Sequence, residues 1–376
     1  MSELFSPLTL RGLTLRNRTV VAPMCQYSAV GGMANDWHLV HLGRFALGGF
    51  GLVIVEATGV VPEGRISYGD LGLWSDEQIA PLAHIVDFLH SQGTAAGIQL
   101  GHAGRKAATP IWWRGDFNET DEEKALYGFE TWVPVAPSAE PHSKTNPNFQ
   151  TPHALTLEEI KATVQAFADA AVRADKAGFD VVEIHGAHGY LISQFLSPLA
   201  NHRTDEYGGN RENRMRFALE VARAVRAAWP ADKPLFMRLS VTDGSPGGWA
   251  IEDSVALALE LEKIGIDAVH ASSGGFEGYG LKPAPLYQVP LASALKHAGV
   301  KSIAVGLISE PEDAERIVTS GEADMVAFAR GALEDPNWPL HAHHILDGGG
   351  DAYDLWPKQA RGRIKDKDRA LGIRVG

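Results

Sequence analysis

The sequence predicts an α/β fold built as a closed (β/α)8 barrel. Two observations lead there. A short β-branched strand, a loop and an amphipathic helix recur along the chain, which argues for a parallel sheet. The strand candidates number eight, at 19–24, 51–58, 95–100, 181–185, 235–240, 268–272, 302–307 and 325–330, and eight is the number that closes a barrel.

Each element has a local reason. Residues 7–16 alternate apolar and polar around Arg11-Gly12 and read as a hairpin before the barrel. Ser75-Asp-Glu-Gln78, Thr156-Leu-Glu-Glu159 and Ser309-Glu-Pro-Glu312 fit capping boxes that start helices. Gly93, Gly178, Gly265 and Gly321 stand where helices should stop. After the third strand the chain departs from the repeat. The stretch from 105 to 155, rich in tryptophan and proline (Trp112, Trp113, Trp132, Pro134, Pro137, Pro141), is far longer than a barrel loop and reads as a lid. The expected organisation is one barrel domain over 1–350 and a C-terminal tail over 351–376, which carries Trp356 and Arg363. His341, His343 and His344 fall on a peripheral helix and read as surface residues.

Composition narrows the function. The chain has 376 residues, 45% hydrophobic and 21% charged, with a net charge of −12. No long basic block is present, so nucleic acid is not an expected partner. No apolar run reaches membrane-spanning length, and the expectation is a cytoplasmic protein. Cys25 is the one cysteine. That excludes an internal disulfide framework and a cysteine-ligated iron–sulfur cluster or zinc ribbon.

Barrel sites sit at the C-terminal strand ends. Those ends carry Pro23-Met-Cys-Gln-Tyr27, Glu56-Ala57, Gln99, His185, Arg238, Ser272-Ser-Gly-Gly275, Gly306 and Arg330-Gly331. A buried Gln or Arg left unpaired would cost roughly 2–5 kcal/mol, so something polar should meet them. Gly306 and Arg330 end the strands after which barrels often hold a phosphate. A phosphate at one side and polar groups in the middle suggest a flat phosphorylated cofactor, for which flavin mononucleotide (FMN) fits. At the fourth strand, His185, His188 and Tyr190 stand at a strand-to-helix junction. Two imidazoles converging on one oxygen, with a phenol beside them, suit polarising a carbonyl and protonating its neighbouring carbon. Taken singly, each of these residues also fits a satisfied core position, and the histidine pair also fits a metal site with Glu183 or His102 as third ligand. No metal is expected, because no strong third ligand stands out.

The motifs Pro23-Met-Cys-Gln-Tyr27, Gln99-Leu-Gly-His-Ala-Gly-Arg-Lys106, His185-Gly-Ala-His-Gly-Tyr190 and Ser197-Pro-Leu-Ala-Asn-His-Arg-Thr-Asp-Glu-Tyr-Gly-Gly209 together resemble the old yellow enzyme family of FMN ene-reductases. The nearest branch is the bacterial YqjM-like, xenobiotic-reductase one. The resemblance implies FMN contacts from Ala22, Pro23, Met24, Cys25, Ala57, Gln99, Arg238, Gly306, Ala329 and Arg330. It implies that His185 and His188 bind the substrate oxygen, that Tyr27 lines the pocket, and that Tyr190 gives the proton. NADPH or NADH would reduce the flavin, which would pass hydride to the β-carbon of an α,β-unsaturated carbonyl or nitro alkene. The alternative is a reductase acting mainly on nitro compounds, nitrate esters or quinones. The single cysteine argues against the iron–sulfur branch of dienoyl-CoA reductases. A homodimer or homotetramer is expected, in which Trp356 or Arg363 would reach a neighbour's site.

Overall fold

Runs of β-branched and aliphatic residues, each followed by a helix, leave parallel pairing as the solution that buries both faces of the strands. In the computed structural model, which describes residues 2–113, 121–127, 132–348 and 353–372, they do pair this way. Strands β1 (Leu8–Leu10) and β2 (Leu13–Leu15) form the expected antiparallel hairpin. The barrel then takes β3 (Thr19–Val21), β4 (Leu52–Gly59) and β5 (Ala95–Gly101). A short parallel pair, β6 (Val135–Ala136) and β7 (His153–Ala154), lies in the long insertion. The barrel resumes with β8 (Val181–Gly186), β9 (Leu235–Ser240), β10 (Ala268–Ser272), β11 (Ser302–Ala304) and β12 (Met325–Phe328), and β12 pairs with β3 to close it. Three strands stop short of their expected ends. β3, β11 and β12 give way to loop at Ala22, Val305 and Ala329, where the backbone turns over the barrel mouth.

The helices are α1 (Asp36–Leu47), α2 (Ile79–Ser91), α3 (Asp121–Tyr127), α4 (Leu157–Lys176), α5 (Leu191–Leu196), α6 (Arg211–Ala228), α7 (Ile251–Ile264), α8 (Val289–His297), α9 (Pro311–Thr319), α10 (Arg330–Glu334), α11 (Trp338–Asp347) and α12 (Lys358–Ala370). The box at α4 forms as expected. Thr156 Oγ1 accepts from Glu159 N at 3.2 Å, and Glu159 Oε2 accepts from Thr156 N at 2.7 Å. The box expected at Ser309 does not form. Pro311 takes the first turn of α9, which moves the N-cap to Glu310, and Glu310 makes no side-chain cap. The reading of three surface histidines on α11 is also corrected. His343 is buried, its ring edge-on to Phe5 at 4.9 Å, because this face of α11 packs on the N-terminal segment.

The barrel interior is layered. At the bottom, Val20, Leu52, Val181, Phe236, Ala268, Ile303 and Met325 meet Leu10 and Leu15 of the hairpin, which plugs that end. Two residues further along the strands the interior turns polar: Gln99, Glu183, Arg238 and His270 are all buried. Above them are the strand ends. Phe236 is fully buried at the centre of the apolar floor. Phe236→Ala should destabilise the fold by about 3–5 kcal/mol through lost burial plus a cavity. Denaturant unfolding measures this, and an unchanged midpoint would contradict the layered packing.

Candidate active site

Strand β8 is buried along its whole length and delivers His185 at its end. A tight turn follows, with His188 at φ 60 and Gly189 at φ 68, before Tyr190 caps α5. A non-glycine residue in the left-handed region carries strain and must be held from outside. Three contacts hold it. His188 N donates to Ser240 Oγ at 2.8 Å, Ser240 Oγ donates to Gly274 O at 2.7 Å, and Lys106 Nζ donates to His188 O at 2.9 Å. The loop after β10 runs directly alongside. A Cβ at Gly275 would lie 2.0 Å from the His188 carbonyl carbon, so glycine is required there.

A backbone hydrogen bond fixes the His185 tautomer. His185 Nδ1 accepts from Ala187 N at 3.2 Å, which leaves the ring proton on Nε2. Ser272 Oγ lies 2.7 Å from His188 Nε2 and itself accepts from Gln288 Nε2 at 3.3 Å. Ser272 Oγ can donate to that nitrogen or accept from it, so His188 Nε2 is held by Ser272 in either tautomer and Nδ1 is the ring nitrogen that remains for a ligand. The rings stand nearly perpendicular, 5.2 Å apart, and Tyr190 lies 4.9 Å from His185. Burial, then the charge of Arg238, holds both imidazoles well below their usual value, so they are neutral donors. Burial, then Cys25 and Asp70, pushes the Tyr190 phenol well above its usual value and keeps it protonated. Lys106 Nζ sits 4.9 Å from the centre of the Tyr190 ring, and burial lowers it to about 8.

Below the histidines, Gln99 Nε2 donates to Glu183 Oε1 at 2.7 Å, and His270 Nδ1 bonds Glu183 Oε2 at 2.9 Å. Burial alone would raise Glu183, but His270 and Arg238 hold it below its usual value, as a carboxylate. A carboxylate accepts only, so the Gln99 amide must turn its NH2 group toward it and its carbonyl away. Arg238 is buried with Nε unpaired. Beside it a cavity of about 160 Å³ is lined by His188, Ser272, Gly306, Ala329 and Arg330. Gly306 has φ 126, and a Cβ there would press on Gln288 at 3.0 Å. Ala57, Asp70, His102, His185 and Tyr190 line a second, narrow cleft. At the β3 end Tyr27 packs edge-on to Trp113 at 5.7 Å. Gln26 N donates to Glu56 Oε2 at 3.0 Å, and burial raises Glu56, Asp70 (to about 7) and the Cys25 thiol.

Residues 3–347 match the sequence profile of the NADH:flavin oxidoreductase / NADH oxidase family. The chain belongs to this family. It is similar to an NADPH dehydrogenase of Geobacillus thermodenitrificans (strain NG80-2), 46% identical over 342 residues, 90% of this chain and 93% of that one. Among solved structures it resembles morphinone reductase, with TM-score 0.76 and 29% identity over 91% of this chain and 89% of that one. It also resembles 2-naphthoyl-CoA reductase, with TM-score 0.80 and 27% identity. The alignment covers 94% of this chain but 53% of that reductase, so the chain spans about half its length. The protein is an NAD(P)H-dependent flavin oxidoreductase, and FMN is its cofactor.

The site chemistry fits that cofactor. Arg238 brings an unpaired buried donor, the Gln99 amide is held in one orientation, and Gly306 opens a cavity beside Arg330. The structure gathers His185, His188, Tyr190, Ala57, Gln99, Arg238, Gly306, Ala329 and Arg330 at the barrel mouth, with Ala22, Pro23, Met24, Cys25 and Tyr27 on the β3 side. Trp356 and Arg363 are not brought there. Trp356 borders a groove with Arg16, Leu47 and Gln92, at the opposite end of the barrel. Among the described residues no cluster of three His, Cys, Asp or Glu side chains could hold a metal ion, and Glu183 is engaged by Gln99 and His270 instead. Sequence reasoning missed the roles of His270, Ser240 and Gln288 and the burial of Lys106 beside Tyr190. The inward parity of His270 and Ser240 with Arg238 was the available signal.

Because the folded-state values of His185 and His188 lie below the unfolded value near 6.5, their contribution to stability is present above about pH 6.5 and is lost as pH falls below it. Imidazole NMR signals of these two residues should therefore show midpoints below about 6.5. A midpoint at or above that value would contradict neutral imidazoles.

Proposed function

We propose that this flavin oxidoreductase is an ene-reductase acting on α,β-unsaturated carbonyl compounds. The observation that carries this reading is the pair of neutral imidazoles, His185 with its proton on Nε2 and His188 held at Nε2 by Ser272, beside a protonated phenol. Bound FMN would supply the hydride for the β-carbon, with NADPH or NADH as the source of electrons. His185 and His188 donate to the carbonyl oxygen, where negative charge builds as the enolate forms, and fixed donors contribute most there. Tyr190 gives its proton to the α-carbon. Lys106, held over the Tyr190 ring, stabilises the negative charge that develops on the phenol and eases loss of that proton.

In this reading Gln99 and Arg238 would hold the pyrimidine edge of the flavin, and the charge of Arg238 would favour electron uptake there. Gly306, Ala329 and Arg330 would receive the phosphate. Ala22, Pro23, Met24 and Ala57 would contact the ring, Cys25 would tune it, and Tyr27 would wall the substrate pocket. The Cys25 thiol, kept protonated by burial and by Asp70 and Glu56, acts there as a neutral neighbour. The protein works in the cytoplasm as a homodimer or homotetramer.

Tyr190→Phe should slow reoxidation of the reduced enzyme by 2-cyclohexenone by about 10²–10⁴-fold and leave reduction by NADPH unchanged. Rapid-mixing spectroscopy separates the two steps, and slowed reduction would contradict the role. His188→Ala should weaken binding of a phenol ligand by roughly 1.5–3 kcal/mol, the loss of one hydrogen bond to a charged oxygen. Unchanged phenol affinity would remove His188 from the oxyanion site. Fast reoxidation by nitro compounds or quinones with none by enones would move the activity to that substrate class.

A further inference from the structure

Arg105 lies one residue before Lys106, in the turn that follows β5. Its backbone N–H is tied to Gln194 Oε1 at 3.2 Å, which fixes where the side chain starts. The residue is only 6% exposed. Its guanidinium nevertheless makes no hydrogen bond and no ion pair among the described residues, and Nε is buried without a partner. What it touches is the face of Phe276, with the guanidinium carbon 5.5 Å from the ring centre. An uncompensated buried charge is among the costliest features a fold can carry. Here it also borders open space, a cavity of about 350 Å³ shared with His142, Lys144, Leu199, Phe276 and Tyr279.

Two carboxylates, Glu140 and Glu277, also line the cavity, and neither forms a hydrogen bond or ion pair with Arg105. Glu140 is close enough to oppose part of the burial effect on Arg105 and lies 3.5 Å from His202. Glu277 Oε1 accepts from Ser143 Oγ at 2.7 Å. His142 also borders the cavity and has Nδ1 buried without a partner. The cavity adjoins the reacting centre. Lys106, next to Arg105, lies over Tyr190, and Gly275, next to Phe276, has its carbonyl 3.4 Å from Lys106 Nζ.

We propose that Arg105, with Lys144 at the rim, forms an oxyanion subsite for a phosphate or carboxylate on a molecule whose reacting end lies at His185, His188 and Tyr190. This rests on the reading of those three residues as the reacting centre. The anion belongs either to the reductant, a nicotinamide dinucleotide, or to a charged substituent of the alkene. A guanidinium suits both, since it meets phosphate and carboxylate with paired N–H donors. The cavity would take a group of a few heavy atoms, and the Phe276 face keeps the guanidinium flat against one wall.

The test uses the full-length FMN-loaded enzyme and the variants Arg105→Gln, Arg105→Lys and Lys144→Gln. Rapid mixing gives the affinity for NADPH and for NADH from the flavin reduction rate. Steady-state kinetics give KM for neutral 2-cyclohexenone and for a cyclohexenone bearing a carboxylate. Arg105→Gln should weaken at least one anionic ligand by about tenfold or more, the usual scale for a charge-assisted contact, while KM and kcat for 2-cyclohexenone stay unchanged. Arg105→Lys should recover part of that loss. Lys144→Gln, at an exposed position that does not endanger folding, should weaken the same ligand to a smaller extent. Loss for NADPH alone assigns the extra phosphate of that reductant. Equal loss for NADPH and NADH assigns their shared diphosphate. Loss confined to the carboxylated enone assigns the substrate. Changes below twofold for all three anionic ligands, or an equal loss for the neutral enone, would overturn the subsite. If 2-cyclohexenone fails to reoxidise the wild-type enzyme, the ene-reductase reading falls, while the two nicotinamide affinities still decide the subsite.

Discussion

A carboxylate buried inside a closed barrel has to be matched by donors in its own layer, and Glu183 sets this condition for the whole molecule. It is fully buried and accepts from Gln99 and His270, with the charge of Arg238 close by. The parallel register makes this possible. Gln99 pairs with Glu183 across β5 and β8, while Arg238 lies between His185 and His270 across β8, β9 and β10. Side chains of one parity on neighbouring strands thus meet in the interior. Without Glu183 the Gln99 amide would have no fixed orientation, and the Arg238 guanidinium would lose its nearest counter-charge. The apolar floor sealed by the hairpin excludes water from beneath this layer, so its polar groups face one another or the barrel mouth.

The mouth depends on a second condition, the strained turn at His188. A left-handed histidine persists because Ser240, Lys106 and the backbone at Gly275 surround it. The same contacts set the chemistry. Ala187 selects the His185 tautomer, and Ser272, itself bonded by Gln288, holds the His188 ring at Nε2. Burial then keeps both rings neutral and the phenol protonated. Strain, tautomer choice and protonation state therefore share one set of packed elements, β8 to β10 with their loops.

Much of this was legible in the sequence. Strands at 235–240 and 268–272 match their expected bounds, because turn signals and charged residues flank them closely. The strand-end residues were readable because parallel barrels place sites at one end. The interior polar layer was harder. Glu183 and His270 sit mid-strand, where a polar residue reads equally well as outward-facing. The bulge between Val55 and Ala57 shows why parity alone misleads: the register shifts there, Ala57 pairs with Gln99, and Glu56 turns toward Gln26. Lys106 and Arg105 lie in a loop whose path depends on contacts with α5 and with the loop after β10. No local pattern encodes such contacts. Buried His343 was missed for the same reason, since its partner Phe5 is far away in sequence.

The account stands on one site carrying out both halves of the reaction at the barrel mouth. An anaerobic visible spectrum of the purified protein tests this most directly, taken before NADPH, after NADPH, and after addition of 2-cyclohexenone. The account predicts a flavin spectrum that bleaches with NADPH and returns with the enone. A protein that stays colourless with added FMN, or one that bleaches and never recovers with the enone, would contradict it.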